Sequence, residues 1–231
     1  PPAPNDAGGS LGAAIMENKN FKNFEDMKKN FYPFNPYQGP KFSNQYIEKI
    51  LKNFNDKLLF KQFNNKKEFL DIAVKSIIND KVICWFQGRM EFGPRALGGR
   101  SFIADPRKKE IVDQINIQIK KREKFRPFAP SILEEKINEY FNTKQKSPYM
   151  TIILKALSKN KDSIQGVVHV DNTSRPQTVS RETNEIYWEL LDNFEKHTNV
   201  PLLLNTSFNI KEPIVCKPEE AIRTFMSTDV K

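Results

Sequence analysis

Residues 88–101, GRMEFGPRALGGRS, carry Arg89, Arg95 and Arg100 among four glycines, directly after an apolar run. Arginine presents a planar fork of donors that fits a phosphate bidentately, and glycine lets backbone amides approach an oxyanion closely. The bland alternative is a Gly-Pro corner decorated with solvated arginines. The segment Gly93-x-x-x-x-Gly98-Gly99-Arg100-Ser101 comes near the P-loop pattern but fails it. Gly99 stands where that motif needs Lys, and Pro106 stops a long helix from following.

Three further stretches have the same flavour. KKREKFRPFAP places Lys120, Lys121, Arg122, Lys124 and Arg126 at the end of a helical pattern. Cations are ordinary at a helix C-terminus, but Arg126 wedged between Phe125 and Pro127 is not explained that way. HVDNTSRPQTV ends an apolar run in Asp171, Asn172, Thr173 and Ser174 before Arg175. Polar residues at the end of a sheet strand are where α/β folds bind ligands. VPLLLNTSFN delivers Asn205, Thr206, Ser207 and Asn209 from a buried strand, for which a polar turn is the plain alternative. No nucleophile with its base can be built, because His169 and His197 are the only histidines. The inventory suits phosphate binding and charge stabilisation in phosphoryl or adenylyl transfer.

Elements that alternate in type must carry these junctions. Helices are expected at 44–54, at 66–79 with Asn64 or Asn65 as cap, and over RKKEIVDQINIQIKKR, EEKINEYF, NEIYWELLDNFEKH and KPEEAIRTFM. Strands are expected at KVICWF, SFIADP, FRPFAPSIL, YMTIIL, IQGVVHV and VPLLLN, with PIV a fragment of one. His169 then lies within a strand. The fold class is α/β, or α+β, with a twisted mixed β-sheet flanked by helices.

The 231 residues suffice for one large domain with appendages. The opening, PPAPNDAGGSLGAA, reads as the end of something larger, and residues 15–40 read as a linker that packs its aromatics on a neighbour. No apolar run is long enough to span a bilayer. Cys84 and Cys216 give no disulfide framework, and with no CxxC a zinc site is not expected. Reduced thiols in apolar surroundings point to the cytoplasm. The net charge of +9 suits nucleotide phosphates, nucleic acid or a membrane surface without choosing among them.

GRMEFGPRALGGRSFIADPR, KKREKFRPFAPS, HVDNTSRPQTV and PLLLNTSFN…EPIV resemble, in order, the C-terminal domain of the NodU/CmcH/TobZ-type O-carbamoyltransferases. The likeness covers about residues 41–231 and makes residues 1–14 the last piece of a preceding actin/sugar-kinase-like transferase domain. It implies a YrdC-like fold, whose K-x-R and S-x-N signature matches Lys120-Lys121-Arg122 and Ser207-Phe208-Asn209. By this resemblance the domain binds ATP with Mg²⁺ and carbamoyl phosphate and forms carbamoyl-adenylate. The N-terminal domain then transfers the group to an acceptor hydroxyl.

Carried over by position, Lys120, Arg122, Ser207 and Asn209 hold nucleotide phosphates, with Thr206, Arg100 and Arg126 nearby. Arg95 and Arg175 hold carbamoyl phosphate, and Asn205 orients it. Arg95, Lys120, Arg175 and Ser207 are the candidates for catalysis. Asp6 resembles one ligand of a metal site, for iron or another divalent ion, whose histidines belong to the N-terminal domain. Two rival readings are a basic RNA-binding module that stacks bases on Phe125 and Phe128, and a lid inactive without its partner domain. Scattered arginines at separate strand ends argue against RNA, and nothing suggests a membrane partner.

Overall fold

The computed structural model describes residues 2–18, 25, 34–228 and 230. Its centre is a five-stranded mixed sheet of β1 (Ile83–Phe86), β2 (Arg100–Ala104), β3 (Ala129–Leu133), β6 (Gln177–Val179) and β7 (Leu202–Ser207), in the order β1-β2-β7-β3-β6. Only the β3–β6 pair is parallel. A separate two-residue pair joins β4 (Leu154–Lys155) to β5 (Thr173–Ser174). In β7 the buried run Leu202, Leu203 and Leu204 passes into Asn205, Thr206 and Ser207, so a central strand delivers polar groups at its end.

Helix α1 (Gly9–Met16) buries none of its residues. Helix α2 (Asn44–Lys52) is capped by the Ser43 side chain, which accepts from the Tyr46 amide. Helix α3 (Lys66–Ile78) starts where Asn65 Oδ1 accepts from the Lys67 amide, and it buries Leu70, Ala73, Val74 and Ile77 at helical spacing. It packs on α6 (Glu185–Thr198), which buries Tyr187, Leu190, Leu191 and Phe194 against the sheet. Burying four such side chains gives roughly 1.5–3 kcal/mol each. Helix α6 stops at Asn199, which turns left-handed at φ 59°. Helix α7 (Pro218–Met226) begins at its proline, as expected.

Five stretches depart from expectation. RKKEIVDQINIQIKKR is not one regular helix: α4 (Glu110–Gln114) widens into a π-helical turn over Ile115–Ile119, where the Lys120 amide donates to Ile115 O. IQGVVHV is no strand. Gly166 sits hard against the Pro106 and Lys108 carbonyls, a 3₁₀ turn forms over Gln165–Val167, and Val170 is fully exposed. His169 therefore lies in a turn. YMTIIL shrinks to Leu154–Lys155, because Met150 takes φ 56° and Ile153 faces solvent. PIV is irregular, held by the Val215 amide on Phe208 O. EEKINEYF becomes a 3₁₀ turn and α5 (Ile137–Tyr140).

Of the linker, residues 19–24 and 26–33 lie outside the described residues. Near residue 40, Tyr37 donates to Leu97 O at 2.7 Å, and Phe34 meets Phe92 edge-on.

Candidate functional site

The arginine loop is built around an acid of its own. Glu91, only 6% exposed, accepts from the backbone amides of Leu97, Gly99 and Arg100 through one carboxylate oxygen at 2.6–3.2 Å. The amides that glycine frees to meet an anion thus meet Glu91. Gly98 adopts φ +92° against the Tyr187 ring, where a Cβ would collide. The linker zips on by backbone bonds, Met90 to Pro40 and Gly39 to Met90.

The three arginines diverge from there. Arg89 donates to Gly39 O at 3.0 Å. Arg100 is completely buried, stacks on Phe86, and donates to the carbonyls of Gln87, Gly99, Pro40 and Gly88. It is a clamp inside the loop, and it lines no part of the cleft that holds Arg95. Arg95 itself is exposed and has no ion-pair or hydrogen-bond partner among the described residues.

The π-helical turn brings Lys120 inward. Its ammonium, on a residue 3% exposed, donates to Ser207 O, Ser207 Oγ, Asn209 O and Asn209 Oδ1. Ser207 Oγ donates to Asn209 Oδ1 at 2.7 Å, and Asn209 Nδ2 donates to Glu212 O. Lys120, Ser207 and Asn209, which the resemblance assigns to nucleotide phosphates, therefore form one network with each other. Burial, then the neighbouring Arg122, push the Lys120 ammonium down to about 7, while Glu212 opposes them. Two carbonyls and the Asn209 oxygen need three N–H donors, which only the ammonium supplies.

Asn116 shapes the segment after the π-helical turn. It donates to Lys124 O and Arg126 O and accepts from Arg122 Nε at 2.7 Å. Arg122 then lies over Phe128, with its guanidinium 5.0 Å from the ring. Phe128 is buried and Phe125 exposed, so only one of the two expected stacking rings is available. Arg126 pairs with Glu123 at 2.8 Å on the surface and stays outside the cleft.

Arg95, Arg122, Arg175, Asn205, Thr206 and Ser207 converge on one cleft of about 150 Å³. Three guanidiniums line it, and no carboxylate does. Burial, then Arg95, push the Arg175 guanidinium down, and burial with Arg126 does the same to Arg122 while Glu123 opposes them. Like charges lining a cleft that no carboxylate enters favour an anion between them. Asp6 lies apart on an exposed turn, and no three His, Cys, Asp or Glu among the described residues are grouped to hold a metal. A metal at Asp6 would need ligands from elsewhere.

Sequence reading missed Glu91, Asn116, Ser131 and Gln177. The last two join Asn205 in a buried network, with Ser131 Oγ donating to Gln177 Oε1 at 2.6 Å. A Glu eight residues before the second Gly of a Gly-Gly pair was a usable signal; the other three become visible only through strand register and turn geometry.

A five-stranded mixed sheet flanked by helices, with three guanidiniums lining one cleft beside it, defines an α/β domain. Within that class, this chain belongs to the carbamoyltransferase C-terminus family, whose model matches residues 74–231. It is 41% identical over 251 residues to protein sll1178 of Synechocystis and 42% over 234 residues to nodulation protein NolO of Bradyrhizobium diazoefficiens. Each alignment covers 99% of this chain but only 41% and 42% of the relative, so the chain spans about two fifths of their length. Among solved structures, full-length HypF in its phosphate- and nucleotide-bound form aligns over 73% of this chain and 20% of its own. That likeness, at 17% identity and a TM-score of 0.47, is too distant to carry an argument. Among the described residues, no helix is long and apolar enough to cross a membrane.

Proposed function

We propose that this chain is the part of an O-carbamoyltransferase that binds carbamoyl phosphate and ATP and forms carbamoyl-adenylate. The observation that carries this reading is the cleft with three guanidiniums and no carboxylate, in a chain of the carbamoyltransferase C-terminus family. Size sets the division of labour. The cleft, at about 150 Å³, is the smaller of two neighbouring cavities and suits the small phosphorylated group. The adenosine lies outside, toward an adjoining cavity of about 580 Å³ that shares Pro127 and Phe128 with the cleft and is lined by Phe125 and Arg126.

Two steps balance the chemistry. Water cleaves carbamoyl phosphate to carbamate and phosphate. A carbamate oxygen attacks the α-phosphorus of ATP, the bond to the bridging oxygen of the β-phosphate breaks, and pyrophosphate leaves. Negative charge builds on the non-bridging oxygens, where Arg95, Arg122 and Arg175 provide fixed counter-charge. Lys120 keeps Ser207 and Asn209 in place from behind, so its role is positioning. Mg²⁺ would arrive on the β and γ phosphates, since the cleft lining offers it no carboxylate, and would neutralise charge on the leaving pyrophosphate. Transfer to an acceptor hydroxyl belongs to the remaining three fifths of proteins as long as sll1178 and NolO.

Exchange of labelled pyrophosphate into ATP tests the half-reaction. Label should enter ATP only when carbamoyl phosphate is present, and Arg175→Ala should abolish the exchange. Exchange without carbamoyl phosphate, or equal exchange in the variant, contradicts the assignment.

A further inference from the structure

The arginine loop is gripped by two other segments before it reaches the cleft. The linker holds it by backbone bonds: the Phe92 amide donates to Pro36 O at 2.7 Å, and the Gly39 amide donates to Met90 O at 2.9 Å. The second grip comes from residues 2–8. Of residues 2–18 only Pro2 and Ala3 are buried, Ala3 at 4% exposure, while Pro4 to Ala7 are exposed and α1 buries nothing. The place where these two residues pack is Gly93. A Cβ there would lie 2.6 Å from Pro2 O and 3.5 Å from Ala3 Cβ. Gly93 also takes φ +112°, so backbone conformation and close approach each require glycine. Gly8 shapes the gripping segment: it sits against the Ala3 carbonyl, and its amide donates to Asn5 O at 2.8 Å.

Directly after Gly93, the residues Pro94, Arg95 and Ala96 line the cleft. The Arg95 side chain is exposed, with no ion-pair or hydrogen-bond partner among the described residues, so its backbone has to place it. After Arg95 the chain meets two fixed points: Ala96 O accepts from Asn205 Nδ2 at 3.0 Å, and the Leu97 amide donates to Glu91. Before it stand the locked φ of Pro94 and the packing of Pro2 and Ala3 on Gly93. We infer that Ala3 and Gly93 are positioning residues for the cleft: residues 2–8 act as a strap, and its seat on Gly93 sets the loop geometry that presents Arg95 to the anion. The inference rests on the proposal that the cleft takes carbamoyl phosphate, and it adds what holds the cleft's exposed arginine in place. The coupling is mutual, because an anion on Arg95 strengthens the seat by the same factor as the seat strengthens anion binding.

Calorimetric titration of the whole chain with carbamoyl phosphate tests this. Ala3→Gln, which forces a longer side chain into the seat without adding charge, should weaken binding at least about fivefold. Ala7→Gln, on an exposed residue of the same strap, should bind as the wild type does. A purely structural role would not make the loss depend on Arg95. In the Arg95→Ala protein, Ala3→Gln should therefore weaken binding no further. Gly93→Ala disturbs the same seat from the loop side and should give the same pattern, which keeps the test in hand where Ala3→Gln does not fold. Wild-type affinity in both seat variants, or a loss of equal size with and without Arg95, overturns the inference while leaving the anion cleft in place. Failure of the wild type to bind overturns the cleft assignment and this inference together.

Discussion

Arg100 and Arg95 stand five residues apart on one loop, on opposite sides of it. Arg100 faces inward, fully buried, with four carbonyls on its terminal nitrogens and a phenyl ring beneath it. Arg95 faces the cleft with no partner among the described residues, and it adds to burial in pushing the Arg175 guanidinium down. The same residue type thus serves as a clamp where its terminal nitrogens meet carbonyls, although its Nε stays unpartnered, and as a candidate binding group where it faces the cleft. Glu91 explains why one loop can do both: by gathering three amides it fixes the turn, and Arg95 is left on the outside.

Removing the clamp should have the largest effect. Arg100→Ala strips donors from four buried carbonyls and leaves a void over Phe86, so it should cost about 3 kcal/mol in urea unfolding. An Arg100→Ala protein as stable as wild type would break the contrast. Glu91→Ala should cost about 2 kcal/mol by the same measurement, since three buried amides lose a charged acceptor. It should also weaken carbamoyl phosphate binding, because Arg95 is then held less firmly. A loss of stability without a loss of binding would separate the loop's fold from its function.

Lys120 sharpens the comparison through pH. Its folded value of about 7 lies below the usual lysine value of about 10.4, so between them the unfolded chain binds more protons. Stability should therefore rise from about pH 7 to about pH 10, and this contribution is lost as pH falls through about 7. Lys120→Met should flatten that slope in urea titrations at pH 7, 8 and 9. Anion affinity should move the other way, falling above pH 7 as the ammonium behind Ser207 loses its proton. The smallest effect is on the exposed side: Arg95→Ala should change stability by less than about 0.5 kcal/mol.

Much of the fold was legible because periodicity survives local detail. The stripe of Leu70, Ala73, Val74 and Ile77 and the run Leu202 to Leu204 could not be read otherwise. IQGVVHV misled because apolar content alone does not make a strand when Gly166 is pinned against a carbonyl and Val170 faces water. In the site, Arg95, Arg122, Arg175, Asn205, Thr206 and Ser207 were all expected and all meet. Arg100 was expected among them because burial of an arginine against carbonyls leaves no local signature in sequence. Asn116, Ser131 and Gln177 went unseen for a related reason, since their partners lie across turns and neighbouring strands.

If the unpaired arginines at the cleft exist to hold an anion, removing one must cost binding without costing the fold. Calorimetric titration with carbamoyl phosphate in the presence of ATP and Mg²⁺, on wild type and Arg95→Ala, addresses this most directly. Saturable binding by the wild type is expected, with at least about tenfold weaker binding by a variant of unchanged stability. Equal affinity in the two proteins would contradict it.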